Sequence, residues 1–243
     1  MMFSSRLLMG VFALGLLYAP LSAGAANLRV TPVIIEPLAG SRAAAITLTN
    51  EEQHPMRAQI RVLRWSQENG QDVLSPTQDV VASPPFATLE PNEQYLIRLV
   101  RVAKLAPRGE ESYRVLIDEV PNPADARSDA VTLVLRQSIP AFFSDEPRRA
   151  PKVDWNFAQD GSQLWLTGRN TGDRRIRLSD IDLTANGASL YQRAGLFGYV
   201  LPGAEMRWPI KPTAALPADN KLQMKAMADT GPLEVALAVM PRK

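Results

Sequence analysis

Val131-Thr132-Leu133-Val134-Leu135-Arg136-Gln137-Ser138-Ile139-Pro140 is the stretch of this 243-residue chain whose reading decides the fold. Its apolar residues at 131, 133, 135 and 139 recur with a period of two, so in an extended strand they fall on one face. Such a strand either completes a core of its own or is lent to the core of another protein. Alternation alone fits the inward face of any half-buried strand.

Working outward from it, short alternating segments are broken by Pro, Gly and Asn at intervals of roughly ten residues, the rhythm of antiparallel sandwiches. Upstream, 28–35, 44–49, 56–65, 95–102 and 113–120 read as strands, and the decisive strand runs over 131–143. Gly40, Asn69-Gly70, Pro84-Pro85 and Pro121-Asn122-Pro123 supply the breaks. Downstream, 144–151 is polar, carries Pro147 and Pro151, and reads as a hinge. The pattern then restarts, with strands expected over 153–157, 163–170, 175–183, 196–200, 205–210, 222–228 and 233–239. Asp160-Gly161, Thr171-Gly172 and Asn186-Gly187 are the turn dipeptides between them. No segment carries a sustained 3.6-residue apolar stripe. The expectation is an all-β chain of two sandwich domains, 27–143 and 152–243, behind a leader over 1–26.

That leader has Arg6 ahead of the apolar run Leu7–Tyr18 and small residues at Ala23-Gly24-Ala25-Ala26, the arrangement of a secretory signal peptide cleaved after Ala25 or Ala26. Its apolar core is shorter than the roughly 20 residues that span a bilayer, so no membrane insertion is expected. With no Cys there is neither a lipidated N-terminus nor a disulfide framework. The 27 Lys plus Arg nearly balance the 25 Asp plus Glu, which gives no reason to expect nucleic acid.

Catalytic chemistry is hard to assemble from this inventory. His54 is the only histidine and lies in the turn Asn50-Glu51-Glu52-Gln53-His54-Pro55. Without Cys or a second His, thiol–imidazole pairs and His/Cys zinc sites are excluded. Asp118-Glu119 or Asp180 and Asp182 could in principle serve as a glycosidase pair, but the sequence does not fix their separation, and Asp118 and Glu119, adjacent on a strand, point to opposite faces. No phosphate-cradling glycine loop or metal-ligand spacing is present. The expectation is a binding protein with no catalytic residue, no metal and no cofactor.

Several ordered segments resemble one family. Ser83-Pro84-Pro85-Phe86 is followed by Leu89-Glu90-Pro91-Asn92-Glu93-Gln94-Tyr95-Leu96-Ile97-Arg98-Leu99. Ser112-Tyr113-Arg114-Val115-Leu116-Ile117-Asp118-Glu119-Val120-Pro121 comes next, and the alternating strand from Val131 follows. From about Leu28 to Phe143 the chain is similar to the periplasmic chaperones of the chaperone–usher pilus pathway, the PapD-like family. The second half has no motif of comparable specificity.

The resemblance implies two immunoglobulin-like β-sandwich domains joined by a short hinge, boomerang-shaped with an inter-domain cleft. It implies that the chain caps pilus (fimbrial) subunits lacking their last strand by donor-strand complementation, then delivers them to an outer-membrane usher. The donor residues carried over are Val131, Leu133 and Leu135, with Ile139 a fourth. Each such burial contributes on the order of 1.5–3 kcal/mol before ordering costs.

Relatives hold the subunit's terminal carboxylate with one basic residue on the first strand and one on the seventh. Here those positions read Pro32-Val33-Ile34-Ile35-Glu36 and Ser138-Ile139-Pro140, neither of them basic, as in a divergent or archaic branch. Antiparallel pairing through a loop centred near Ala126 would instead set Arg114 beside Gln137 and Arg136, which makes Arg114 and Arg136 the carboxylate-anchor candidates. Arg98 and Arg101 are weaker candidates, with Arg98 expected to bridge Glu119 or a loop carbonyl. Pro55 matches a proline in a usher-facing loop, and Pro84-Pro85 a pair in which one bond is often cis. Trp65, Trp155, Trp165 and Trp208 read as packing residues. An unpaired donor strand also offers the free chain a self-capping dimer. The competing readings are a structural pilus subunit or adhesin, disfavoured by the two-domain length, and a carbohydrate-binding tandem sandwich, which would need a row of exposed aromatics.

Overall fold

A computed structural model describes residues 28–121, 134–144, 150–216 and 221–241. These residues form sixteen strands and no helix. Residues 1–27, 122–133 and 145–149 lie outside the described residues, and with them Val131 and Leu133.

In the first half, β1 (Leu28–Thr31), β2 (Ala43–Asn50), β7 (Gln94–Arg101) and β5 (Val80–Ser83) form one sheet in the order β1-β2-β7-β5. The second sheet runs β4 (Gln71–Pro76), β3 (Met56–Glu68), β8 (Glu110–Glu119), β9 (Arg136–Ser144), with β6 (Phe86–Leu89) also paired to β3. Strand alternation sends Ile46, Leu48, Ile97 and Leu99 inward from one sheet and Tyr113, Val115, Ile117 and Phe143 inward from the other, all essentially solvent-free. Burying side chains of this size contributes about 1.5–3 kcal/mol each. Tight turns hold the register. Asn69 and Gly70 take φ of 54° and 76°, the left-handed pair that a two-residue hairpin between β3 and β4 requires.

The second half is a seven-stranded sheet that wraps a separate core. Its order is β13 (Ala188–Val200), β12 (Ile176–Ala185), β15 (Lys221–Ala228), β16 (Gly231–Pro241), β10 (Val153–Asp160), β11 (Gln163–Asn170), β14 (Glu205–Ile210). β16 pairs antiparallel with β15, then parallel with β10 at Phe157–Gln159, which bends the sheet around Phe157, Leu166, Leu178 and Met224. Most of the strands expected from the sequence are present, but the first is a strand only over Leu28–Thr31, and the decisive one, expected over 131–143, is a strand over Arg136–Ser144, with Val134 and Leu135 described outside it. β4, β5 and β6, and the first half of β13, were not anticipated.

A third, smaller cluster joins the two halves: Trp65, Phe142, Tyr199 and Leu201. Trp65 and Tyr199 meet edge to face with ring centroids 5.2 Å apart, and Phe142 lies within 6.0 Å of both. Gln67 crosses beside them. Its Nε2 donates to the Tyr199 carbonyl at 2.9 Å, and its Oε1 accepts from the Leu201 N–H at 2.9 Å, so one buried amide satisfies two backbone groups of β13 and its turn. On the other flank Arg175, 2% exposed, bonds Glu110 and reaches Glu36 at 2.6 Å, with its guanidinium 3.5 Å from the Phe142 ring centroid. Arg174 adds a second contact to Glu36 at 3.2 Å.

Candidate functional site

β8 organises the site because its two faces do different work. Odd-numbered Tyr113, Val115 and Ile117 enter the core, so Glu110, Ser112, Arg114, Leu116 and Asp118 share the outer face of the sheet. Glu110 ends that row at the second half and Asp118 ends it at the loop. Arg114 sits between, flanked across the ladders by Leu63 on β3 and Pro140 on β9.

This corrects the expected register. Asp118, not Arg114, stands opposite Arg136, and Gln137 stands opposite Ile117. Arg114 stands opposite Pro140, so the pairing is shifted by three residues from the expected one. Arg136 therefore projects 61% exposed at the loop end and bonds Asp118, which Arg61 also holds at 2.6 Å. Burial would raise the Asp118 carboxyl, but hydrogen bonds from Arg136 and Arg61 outweigh it and hold the group below the ordinary aspartate value.

Arg114 is in the opposite condition. Its guanidinium lies 3.7 Å from the Trp65 ring centroid and 5.7 Å from that of Tyr199, half-buried where the two halves meet. No carboxylate of the described residues lies within ion-pair distance of it. Asp72, the nearest acidic influence, is occupied in accepting from Trp65 Nε1 and Gln67 Nε2, both at 2.9 Å. Burial lowers the Arg114 value without approaching deprotonation. A half-buried, permanently charged guanidinium on an aromatic platform, without an acidic partner among the described residues, has the chemistry to accept an anion.

β9 supplies the second element. The Glu119 N–H donates to the Leu135 carbonyl, so odd residues of this strand face β8 and even residues turn their backbone groups outward. At its far end that outer edge is taken: Ile35 N–H donates to the Pro140 carbonyl, and Phe142 N–H donates to the Ile35 carbonyl. From Val134 to Ser138 no described residue pairs with it. On the inward face of this segment Leu135 is half-buried, while Gln137 donates its amide to the Leu28 carbonyl. Ile139 is 7% exposed and packs in the chain's own core. The open segment thus ends at Ile139, one strand residue short of the Arg114 ladder position.

Of the other residues singled out, Pro55 is exposed in the turn before β3. His54 is exposed too, with Glu52 3.8 Å away. The Ser83–Pro84 bond is cis, as is Thr31–Pro32. Arg101 is 4% exposed and held by Glu111 at 2.8 and 3.0 Å, which removes it from any outward role. Arg98 is exposed on β7, in the sheet opposite Glu119, so the expected bridge between them is not formed. Sequence reasoning missed Trp65 as the platform for Arg114, and missed Gln67, Arg175 and Tyr199 altogether. Their partners are 49 or more residues away or lie in the other half, and no local pattern marks such contacts.

Comparison with known proteins gives this geometry a setting. Residues 26–147 match the family described as pili and flagellar-assembly chaperone, PapD N-terminal domain. The uncharacterized fimbrial chaperone YhcA of Escherichia coli (strain K12) is 25% identical over 127 residues, 51% of this chain and 54% of that protein. The match therefore spans about half the length of that relative. A chain in the CsuC–CsuE chaperone–tip adhesion subunit pre-assembly complex, from the archaic chaperone-usher Csu pili of Acinetobacter baumannii, superposes with a TM-score of 0.69. It is 24% identical, over 88% of this chain and 100% of that one. The structure of SafA pilin in complex with the SafB chaperone of Salmonella enterica gives 0.63 at 18% identity, over 89% and 99%. The E. coli chaperone DraB gives 0.58 at 24%, over 86% and 98%. These superpositions carry the two-domain immunoglobulin-like fold, and the family match covers the half in which the open edge of β9 and Arg114 lie. The chain belongs to the PapD family of pili and flagellar-assembly chaperones.

Proposed function

We propose that this chain is a periplasmic, non-enzymatic chaperone that binds incomplete pilus subunits by donor-strand complementation and hands them to an outer-membrane usher. The observation that carries the reading is the open β9 edge from Val134 to Ser138, together with a half-buried Arg114 on the neighbouring strand that has no ion-pair partner among the described residues. A subunit strand laid along this edge would gain ladder hydrogen bonds worth roughly 0.5–1.5 kcal/mol each. Leu135 on the inward face, continued in the sequence by Leu133 and Val131, would fill the subunit's open groove. The subunit's terminal carboxylate would reach Arg114, where a charged hydrogen bond is worth about 1.5–3 kcal/mol. We assign the anchor to Arg114 rather than Arg136, because Asp118 already neutralises the latter. Ile139 serves the chaperone's own core and marks where the lent strand ends.

The complexes of SafB with a pilin and of CsuC with a tip subunit support pilus subunits as the partner class. Entry to the periplasm would follow signal cleavage after Ala25 or Ala26, and the folded units are taken as 27–143 and 152–243. Pro55 is placed by the reading on the usher-facing surface. The test is co-expression with a pilus subunit from the same operon. A stable one-to-one complex that Leu135→Glu abolishes, with the free variant still folded, is the expected result. A complex indifferent to Leu135→Glu and to Leu133→Glu would overturn the donor-strand assignment.

A further inference from the structure

The slot around Arg114 has a wall contributed by the second half. Tyr199 on β13 packs its ring against Trp65 and Phe142, so its side chain faces the first domain at the level of Arg114. Its direct cross-strand partner on β12 is Arg177. Directly opposed residues of an antiparallel pair project from the same face with Cβ atoms about 4.5–5.5 Å apart. The Arg177 side chain therefore leaves its sheet beside the Tyr199 ring, toward the same cleft.

Both groups are uncommitted. Neither the Tyr199 hydroxyl nor the Arg177 guanidinium has a hydrogen-bond or ion-pair partner among the described residues. The charges nearby are otherwise used. Asp229 accepts from the backbone N–H of Arg177 at 3.2 Å, Arg175 is held by Glu110 and Glu36, and Asp72 is held by Trp65 and Gln67. Burial pushes the Tyr199 hydroxyl above its ordinary value against the pull of Arg114, Arg177 and Arg175, so at neutral pH it remains a donor.

We infer that Arg177 and the Tyr199 hydroxyl, both from the second domain, complete the carboxylate slot that Arg114 opens from the first. The inference rests on the reading of Arg114 as the subunit-carboxylate anchor. It answers what replaces the second basic residue missing from Pro32–Glu36 and Ser138–Pro140: the cation is supplied across the cleft. Carboxylate recognition then depends on the angle between the domains, which the Gln67 bridge and the Arg175 clasp hold.

The test uses the full chain and a pilus subunit from the same operon in two forms, unaltered and with three glycines added after its terminal residue, which moves the carboxylate out of reach. Affinities are measured by competition for the unaltered chaperone and for Arg177→Gln, Arg177→Lys, Tyr199→Phe and Arg114→Gln. The extension is expected to weaken binding to the unaltered chaperone by roughly 10- to 100-fold. Arg177→Gln and Tyr199→Phe are each expected to weaken binding of the unaltered subunit several-fold and to reduce the penalty for the extension. Arg177→Lys should recover part of the loss. Tyr199→Phe keeps the ring packing, so it reports on the hydroxyl even if Arg177→Gln loses its fold. Full affinity and a full extension penalty in Tyr199→Phe and in a folded Arg177 variant would overturn the inference and leave Arg114 as sole anchor. If neither the extension nor Arg114→Gln weakens the complex, the anchor reading itself fails.

Discussion

Two charged residues on one face of β8, four positions apart, show how neighbours decide what a residue can do. Asp118 is neutralised by two arginines; Arg114 stacks on aromatic rings with no ion-pair partner among the described residues, which is why the proposed function gives it the subunit carboxylate. The account predicts that Arg114→Gln weakens subunit binding by roughly 10- to 100-fold with little change in the melting temperature of the free chain. For Asp118 the folded value lies below the unfolded one. Its contribution is therefore present above about pH 4 and lost as the pH falls through the lower folded value. Asp118→Asn should thus be less stable at neutral pH and lose less stability between pH 7 and pH 3, as read from urea midpoints. Equal acid sensitivity in both chains would contradict this. Arg114 could be picked from the sequence as a cation near a strand end. Its value as an anchor depends on Trp65 and on Asp72 being otherwise engaged, which no spacing rule encodes.

At the scale of elements, the strands were legible wherever one face is buried. β7, β11, β15 and the first half of β3 alternate because a core reads one side of them. β4 was missed because it is an exposed edge strand with no buried residue, and the first half of β13 for nearly the same reason. β5 and β6, at four residues each, are too short to show a period. The β8–β9 register was misjudged because a long connection, unlike the Asn69-Gly70 turn, does not fix which residues meet. That slip mattered, since it moved Arg136 away from Arg114. The division of β9 gives a sharp test of its own. Ile139→Ala should destabilise the free chain by about 2–5 kcal/mol, as core truncations do. Leu135→Ala, half-buried beside the open edge, should cost the free chain less than Ile139→Ala and cost the complex more. Chemical denaturation and subunit affinity, measured on both variants, check the two halves of this expectation.

For the whole molecule, the decisive feature is that the halves are fastened at several points, among them the Trp65–Gln67–Tyr199 contact, the backbone bridge of Gly70 to Met206 and Arg207, and the Glu36–Glu110–Arg174–Arg175 cluster. Burial pushes the Glu110 carboxyl up even with the Arg175 guanidinium and N–H beside it, so removing Arg175 leaves a costly acid in the interface. Arg175→Ala is expected to destabilise the chain by about 3–5 kcal/mol, and Arg175→Met with Glu110→Gln to recover much of that loss. Calorimetry that finds Arg175→Ala neutral would remove the cluster from the account. Under the proposed function, this fastening would let the open strand edge and Arg114 meet one subunit strand in one register. The most direct check is hydrogen–deuterium exchange of the β9 backbone with and without a pilus subunit from the same operon. The amides of Arg136 and Ser138, which turn outward from β8, should exchange freely in the unbound chain and become strongly protected in the complex. A complex in which those two amides still exchange at their free rates would contradict donor-strand complementation by this edge.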